Sequence, residues 1–236
     1  MKALGVIPAR GGSKGIPKKN LASLGGRSLL LRAIEAGRDS NVLHRLVVDS
    51  DDDEIIAAAR ACSGAEVLYC RPAELASDIA STASAVRYLL NYLMEQERYR
   101  PDCIVLLEPT CPLRTATDVA NAYRAFVESG KPCGLTVCAP MQHPNDFVRK
   151  EGADWTYWTP RQTGIRGRQD FAEAWFINGG VYLTETQFFL DTGKFYDLGE
   201  AAVFIMEPSH SFDIDTPFDL ELARAYMAHS ERDRES

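Results

Sequence analysis

ALGVIPARGGSKGIPKKN, residues 3 to 20, is an apolar run of strand length that empties into a loop. That loop, residues 8 to 20, holds three glycines, two prolines and four cations: Arg10, Lys14, Lys18 and Lys19. Its first acidic neighbour in sequence is Glu35. The first 34 residues therefore carry seven Lys or Arg and no acid, while the chain totals −7, which leaves −14 for the remainder. Such polarisation along the chain predicts an anionic guest at the loop. Gly11, Gly12 and Gly15 would permit positive φ and close backbone approach, so that successive N–H groups could turn inward around phosphate. The spacing is neither GxxxxGK[ST] nor GxGxxG, which sets aside two familiar phosphate loops; a plain solvated turn is the competing reading.

Outward from the loop, apolar runs alternate with helical patterns. ALGVI (3–7), RLVVDS (45–50), EVLYC (66–70), CIVLLE (103–108) and CGLTVC (133–138) read as strands. The segments beginning at Ser28, Asp51, Ser81 and Thr115 have helical spacing and open on residues suited to an N-cap. Near-continuous apolar strands joined by helices predict an α/β fold with a mainly parallel sheet flanked by helices, in one main domain of residues 1–236. From about 140 to 173 the rhythm breaks into prolines, tryptophans and short polar pieces, the pattern of an inserted hairpin-like arm. AWFINGGVYLT (174–184), AAVFIME (201–207) and a closing helix near Thr216–His229 resume the order, and SERDRES (230–236) has the composition of a frayed end.

With 45% hydrophobic and 25% charged residues the composition is that of a soluble globular chain. No run approaches the roughly 18 apolar residues of a spanning helix, and Met1–Ile7 is too short for a secretion signal, so the expected location is the cytoplasm. Six cysteines without ligand spacing are expected as reduced, mostly buried thiols. A pI near 5.2 argues against nucleic-acid polymers as partners.

If residues 3–7 form the first strand, the cationic loop sits at its carboxyl end, where parallel sheets collect ligands. Asp213 and Asp215 in FDIDT stand two apart, so an extended backbone turns both carboxylates to one side, a hard-oxygen pair of the kind Mg²⁺ takes together with phosphate. Asp215 alone could instead cap the last helix. Arg71 could belong to a surface Arg-Pro turn, and Ser81 could cap the helix behind it. Asp49, Asp51 and Asp52 read as strand-end and first-turn acids with structural roles.

PARGGSKGIPKKN resembles the signature of the CMP-sugar synthetases, the cytidylyltransferases that activate sialic acid and related acid sugars. RPAELASD (71–78) with Ser81, EPTCPLR (108–114), NGGVY (178–182) and FDIDTPFDLELA (212–223) resemble further segments of that family in the same order, so the likeness spans essentially the whole chain. It implies a Rossmann-like nucleotidyltransferase that is Mg²⁺-dependent, with an acid's oxygen attacking the α-phosphate of CTP and pyrophosphate leaving. By this resemblance Ala9, Arg10, Gly11, Gly12, Ser13, Lys14, Lys19, Asn20, Arg71 and Ser81 hold the nucleotide. Arg10, Lys19 and Asp213 serve catalysis, and Asp213 and Asp215 hold the metal. Arg114 would complete the phosphate surround, and the arm would serve a homodimer.

The resemblance breaks in the acceptor half. The family reads Gln at Glu108, Ser at Cys111, Lys near Asp146 and Arg near Phe176. Replacing two cations by Asp and Phe leaves a pocket less suited to a carboxylate. Arg161, Arg166 and Arg168 in the arm could compensate, Arg168 foremost because RQD (168–170) matches a family segment; they could equally bind a partner subunit. Glu108, Asp146, Arg168 and Phe176 are thus the acceptor candidates, and the acceptor is a nonulosonic acid or a small phosphonate. A nucleotide-binding protein without catalysis is the alternative from a different class.

Overall fold

A computed structural model describes residues 1–13, 15–159, 167 and 171–235, with side chains as far as residue 230. Lys14 and the three arm arginines Arg161, Arg166 and Arg168 fall outside it. Six strands form the central sheet: β1 (Ala3–Pro8), β4 (Arg45–Asp49), β5 (Cys103–Leu106), β6 (Cys133–Cys138), β9 (Phe176–Glu185) and β10 (Ala201–Ile205). Their order is β10-β6-β9-β5-β1-β4, parallel throughout except for β9, which runs against both neighbours. A ribbon of β2 (Ser23–Leu24) and β3 (Arg27–Ser28) follows the first loop, and the hairpin of β7 (Val148–Glu151) and β8 (Asp154–Tyr157) stands apart from the sheet.

Alternation along β1 explains why both faces are covered. Ala3 and Ile7 join one core with α1 (Leu29–Asp39), α2 (Asp53–Ala61) and α4 (Ala116–Ser129). Leu4 and Val6 join the opposite core with α3 (Thr82–Glu97) and α5 (Thr186–Thr192). A third cluster packs α6 (Pro217–Glu235) onto the ribbon: Ile16, Leu24, Leu29, Ile214, Leu220 and Ala223 are all buried. At about 1.5–3 kcal/mol per fully buried large aliphatic side chain, this cluster anchors the segment before α6 to the opening loop.

Ser28, Ser81 and Thr115 cap α1, α3 and α4 as expected, Thr115 with Asp118 forms a full capping box, and α2 is capped by Asp52, one residue beyond the Asp51 at which the sequence reading opened it. Two sequence expectations fail. EVLYC makes no strand: it touches the sheet edge through one parallel bridge, Val47 with Glu66, before turning away so that Arg71 N–H reaches Ser50 O at 2.7 Å. Residues 230–235 continue α6 instead of fraying. All six cysteines are free, four of them buried, and burial pushes the Cys103 and Cys111 thiols up to about 12. No described helix is long and apolar enough to cross a membrane.

Candidate active site

Two cavities open along one edge of the sheet, the first beyond the carboxyl ends of β1 and β5 and the second beyond the carboxyl end of β6, and Asp213 and Asp215 line both of them. The first, about 370 Å³, is polar and receives Arg10, Ser13, Lys19 and Asn20 from the opening loop, Arg71 and Ser81 from the next crossover, and Glu108 with Thr110 from the turn after β5. The second, about 380 Å³, is walled by Pro140, Met141, Phe147, Phe176, Phe212 and Leu222.

Tight packing, more than unusual torsions, holds the opening loop. None of Gly11, Gly12 and Gly15 has positive φ, contrary to the reading of the sequence; among the described residues of the loop the left-handed one is Lys18, at φ 50°. Glycine is needed for space: a Cβ at Gly11 would lie 2.7 Å from Asp52 Oδ2, and one at Gly15 only 2.2 Å from Asp215 O. Gly11 N–H donates to Asp51 Oδ1 at 2.9 Å, so that amide is already engaged. Buried Asn20 donates from Nδ2 to Arg10 O at 2.9 Å and ties the loop's two ends together.

The described cations of the loop are not bare, as the sequence suggested; carboxylates remote in the chain meet them. Arg10 lies 3.2 Å from Asp78, Lys19 Nζ lies 2.9 Å from Asp215 Oδ1, and Lys18 pairs with Glu54 out on the surface. Lys19 is only 14% exposed at its side chain and aims into the polar cavity, whereas Lys18 is 57% exposed and lines neither cavity. Arg71 is buried, with its guanidinium 2.9 Å from Asp49 Oδ2 and donating to Asp49 O at 2.7 Å. Burial pushes the Asp49 carboxyl up, and Arg71 pulls it back. Ser81 both caps α3, accepting from Ser84 N–H at 3.1 Å, and lines the cavity, so its two sequence readings are compatible.

The FDID segment owes its geometry to Ile214. That side chain is fully buried in the α6 cluster and its N–H donates to Thr110 O at 2.8 Å, so the flanking Asp213 and Asp215 project together into the cavities. Neither caps α6. Thr216 does so, in a capping box with Asp219, whose Oδ2 accepts from Thr216 N–H at 2.7 Å and from Asp215 N–H at 3.1 Å. Asp219 is therefore structural and not a merely solvated residue. Desolvation, and then the charge of Asp215, push the Asp213 carboxyl up; Glu108 is pushed up by burial and by Asp213, against the pull of Arg114.

Other candidates lie elsewhere. Ala9 is buried beneath the loop, its N–H given to Asp49 O at 2.9 Å, and neither it nor Gly11 lines the cavity. Phe176 lines the apolar cavity, while Asp146 sits on an exposed turn that lines neither. Arg114 does not surround phosphate: it is buried behind the site, donating from Nη1 to Gly180 O at 2.5 Å and to Glu108 O at 3.3 Å. Met141, Phe147, Phe212 and Leu222 were not legible as site residues, because apolar side chains in loops carry no chemical signature.

This geometry, a cationic glycine loop across from an aspartate pair, coincides with a family match over residues 4–225, described as cytidylyltransferase. The chain belongs to the cytidylyltransferase family. Among relatives of this CTP-dependent nucleotidyltransferase is the pseudaminic acid cytidylyltransferase of Campylobacter jejuni, 30% identical over 226 residues, 95% of each chain. The CMP-N,N'-diacetyllegionaminic acid synthase of Legionella pneumophila is 27% identical over 230 residues, 96% of this chain and 97% of that one. Among solved structures, a CMP:2-keto-3-deoxy-manno-octonic acid synthetase complexed with CTP superposes with a TM-score of 0.70 at 18% identity, covering 98% of this cytidylyltransferase and all of that chain. Together these place the enzyme among the CMP-sugar synthetases, on their mainly parallel α/β fold.

Proposed function

We propose that the enzyme joins CMP from CTP to a nonulosonic acid that carries apolar substituents, with release of pyrophosphate. The observation that carries this is the shared wall: a polar cavity with Arg10, Lys19 and Arg71 meets an apolar cavity of similar size at Asp213 and Asp215. A nucleoside triphosphate suits the first. The reacting α-phosphorus then lies at the junction, where an acceptor oxygen forms the new P–O bond as the bond to the leaving pyrophosphate breaks. Lys19 and Arg10 neutralise phosphate charge, Arg71 and Ser81 hold the nucleoside end, and Gly12 and Ser13 give the loop its close approach. N-acyl and methyl groups of a nonulosonic acid fill the apolar cavity, which a small phosphonate leaves largely empty.

The residues also fit Mg²⁺. Asp213 and Asp215 are hard oxygen donors, and the Asp213 carboxyl is pushed up first by burial and then by the charge of Asp215, a repulsion that a divalent cation would relieve. Among the described residues no group of three or more His, Cys, Asp and Glu is arranged to hold a metal, so a Mg²⁺ held by Asp213 and Asp215 would take its remaining ligands from outside the protein, phosphate oxygens among them. When bound, Mg²⁺ offsets charge on the departing pyrophosphate. The β7–β8 hairpin exposes Trp155, Tyr157 and Trp158, a surface suited to pairing two copies of the chain.

Pyrophosphate release with CTP and Mg²⁺ is the test, across pseudaminic, legionaminic and sialic acids, 3-deoxyoctulosonate and small phosphonates. Turnover is expected with the acids bearing deoxy and acyl groups. Turnover with a phosphonate alone overturns the acceptor assignment, and CTP binding without turnover anywhere identifies a non-catalytic nucleotide-binding protein.

A further inference from the structure

A bulge in the middle of the sheet connects the two carboxylate walls of the site. Leu135 of β6 pairs with Tyr182 of β9, and Val137 pairs with Ile177, so Asn178, Gly179, Gly180 and Val181 all stand opposite Thr136. The extra chain is accommodated by Gly179 at φ +65° and by a fully satisfied buried network. Thr136 Oγ1 donates to Asn178 Oδ1 at 2.7 Å and accepts from Val181 N–H at 2.8 Å, while Asn178 Oδ1 also accepts from Gly180 N–H at 3.0 Å. Both side chains are essentially inaccessible to solvent.

The bulge touches each wall. Asn178 Nδ2 donates to Ser211 Oγ at 2.7 Å, and Ser211 Oγ donates onward to Glu207 O at 2.8 Å, which pins the chain two residues before Asp213. On the other side, Gly180 O and Glu108 O share the Arg114 guanidinium, and the position of a Cβ on Gly179 falls 3.8 Å from Glu108 Oε2. Thr136 and Asn178 line neither cavity, yet Asn178 reaches Ser211 on the wall of the apolar cavity, and the bulge reaches Glu108 of the polar one through Gly180 O and Arg114.

We propose that the Thr136–Asn178–Ser211 network is a positioning device that sets the Asp213 segment against the Glu108 turn, with the β9 bulge as its rigid spacer. Thr136 and Asn178 act through those carboxylates and line neither cavity, while Ser211, at the end of the chain of bonds, also forms part of the apolar cavity's wall. Burial supports the role: a polar network this deep with every member satisfied rigidifies its surroundings and holds them in one geometry. The proposal rests on the cytidylyltransferase reading of the site for its kinetic readout and on the fold alone for its structural one.

Thr136→Val removes the hydroxyl at nearly constant shape, and Thr136→Ser restores it. Thr136→Val is expected to lower kcat about tenfold, the order expected for misplacing a reacting group by a fraction of an ångström, with CTP Kd within about twofold of wild type. Ser211→Ala is expected to do the same, and because both act through one chain of bonds, the double variant loses about tenfold, where independent effects would give about a hundredfold. Amide hydrogen exchange at Ile214, whose N–H donates to Thr110 O, is expected to quicken in Thr136→Val and stay unchanged in Thr136→Ser. A folded Thr136→Val with wild-type kcat, an equal loss in Thr136→Ser, or multiplicative losses in the double variant would overturn the network. If Thr136→Val does not fold, Ser211→Ala decides by Ile214 exchange, which a direct contact between Ser211 and the acceptor would leave unchanged in the unliganded enzyme. If the wild type turns over no acceptor, the functional reading fails and Ile214 exchange alone judges the network: unchanged exchange refutes it.

Discussion

Gly15→Ala is the sharpest perturbation the opening loop offers. A Cβ at this position falls 2.2 Å from the Asp215 carbonyl oxygen and 3.4 Å from its carbon. Carbon–oxygen contacts settle near 3.3–3.6 Å, so the loop or the FDID segment has to retreat by about 1 Å. The obstacle is backbone and cannot swing aside. Since Lys19 and Asp215, 2.9 Å apart, lie on the two segments that are forced apart, the shift goes directly into the site. Misplacement by about 1 Å costs about 10²-fold in rate, and overpacking costs about 1–3 kcal/mol. At about 2–4 °C per kcal/mol for a domain of this size, melting falls by several degrees. Gly12→Ala is the matched control: no heavy atom lies within 4 Å of its Cβ position, so melting is unchanged and any effect falls on CTP affinity. Coupled pyrophosphate release, together with calorimetric melting, reads both variants. A Gly15→Ala enzyme with kcat/KM within about twofold of wild type refutes the packing account of the loop.

Lys19→Ala removes a largely buried cation from the wall of the polar cavity and should abolish measurable turnover while the protein stays folded; near-normal pyrophosphate release would dismiss Lys19 from the site. Changing Asp213 and Asp215 together to Asn should eliminate activity and with it the response to Mg²⁺, and a variant whose rate still saturates normally with Mg²⁺ would refute the metal assignment. Arg71→Ala strands Asp49 as a buried charge and should cost about 3–5 kcal/mol at neutral pH. The sign with pH follows from direction. Asp49 is raised in the folded state, so its deprotonation costs stability as pH rises above the ordinary carboxylate range; without Arg71 it is raised further. The melting deficit of Arg71→Ala should therefore shrink toward pH 5 and widen toward pH 8, and a deficit independent of pH would show that Asp49 is not the group left uncompensated.

Much of the fold was legible because it is written locally. The strand periods of β1, β4, β5 and β6, the caps Ser28, Ser81 and Thr115, and the alternation that buries Ile214 between two aspartates are all short-range patterns, while the run Asp51–Asp53 left the α2 cap ambiguous by one residue. EVLYC misled because Val67 packs on one core of the sheet while Leu68 and Tyr69 pack on the other, beside α3, and burial without a strand partner has the same period in sequence as burial with one.

The sequence by itself determined that a cationic glycine loop follows the first strand, that an aspartate pair precedes the last helix, and that helices cover a mainly parallel sheet. Tertiary structure alone decided which charges meet, because Lys19 and Asp215, or Arg10 and Asp78, are remote in the chain and only the crossovers bring them within hydrogen-bond reach. It also decided that Gly15 exists for space and not for torsion, that Arg114 braces the site from behind, and that scattered apolar loop residues close into a second cavity. Periodicity records which face of an element is buried; what lies against that face is set by packing between distant segments, which leaves no period to read.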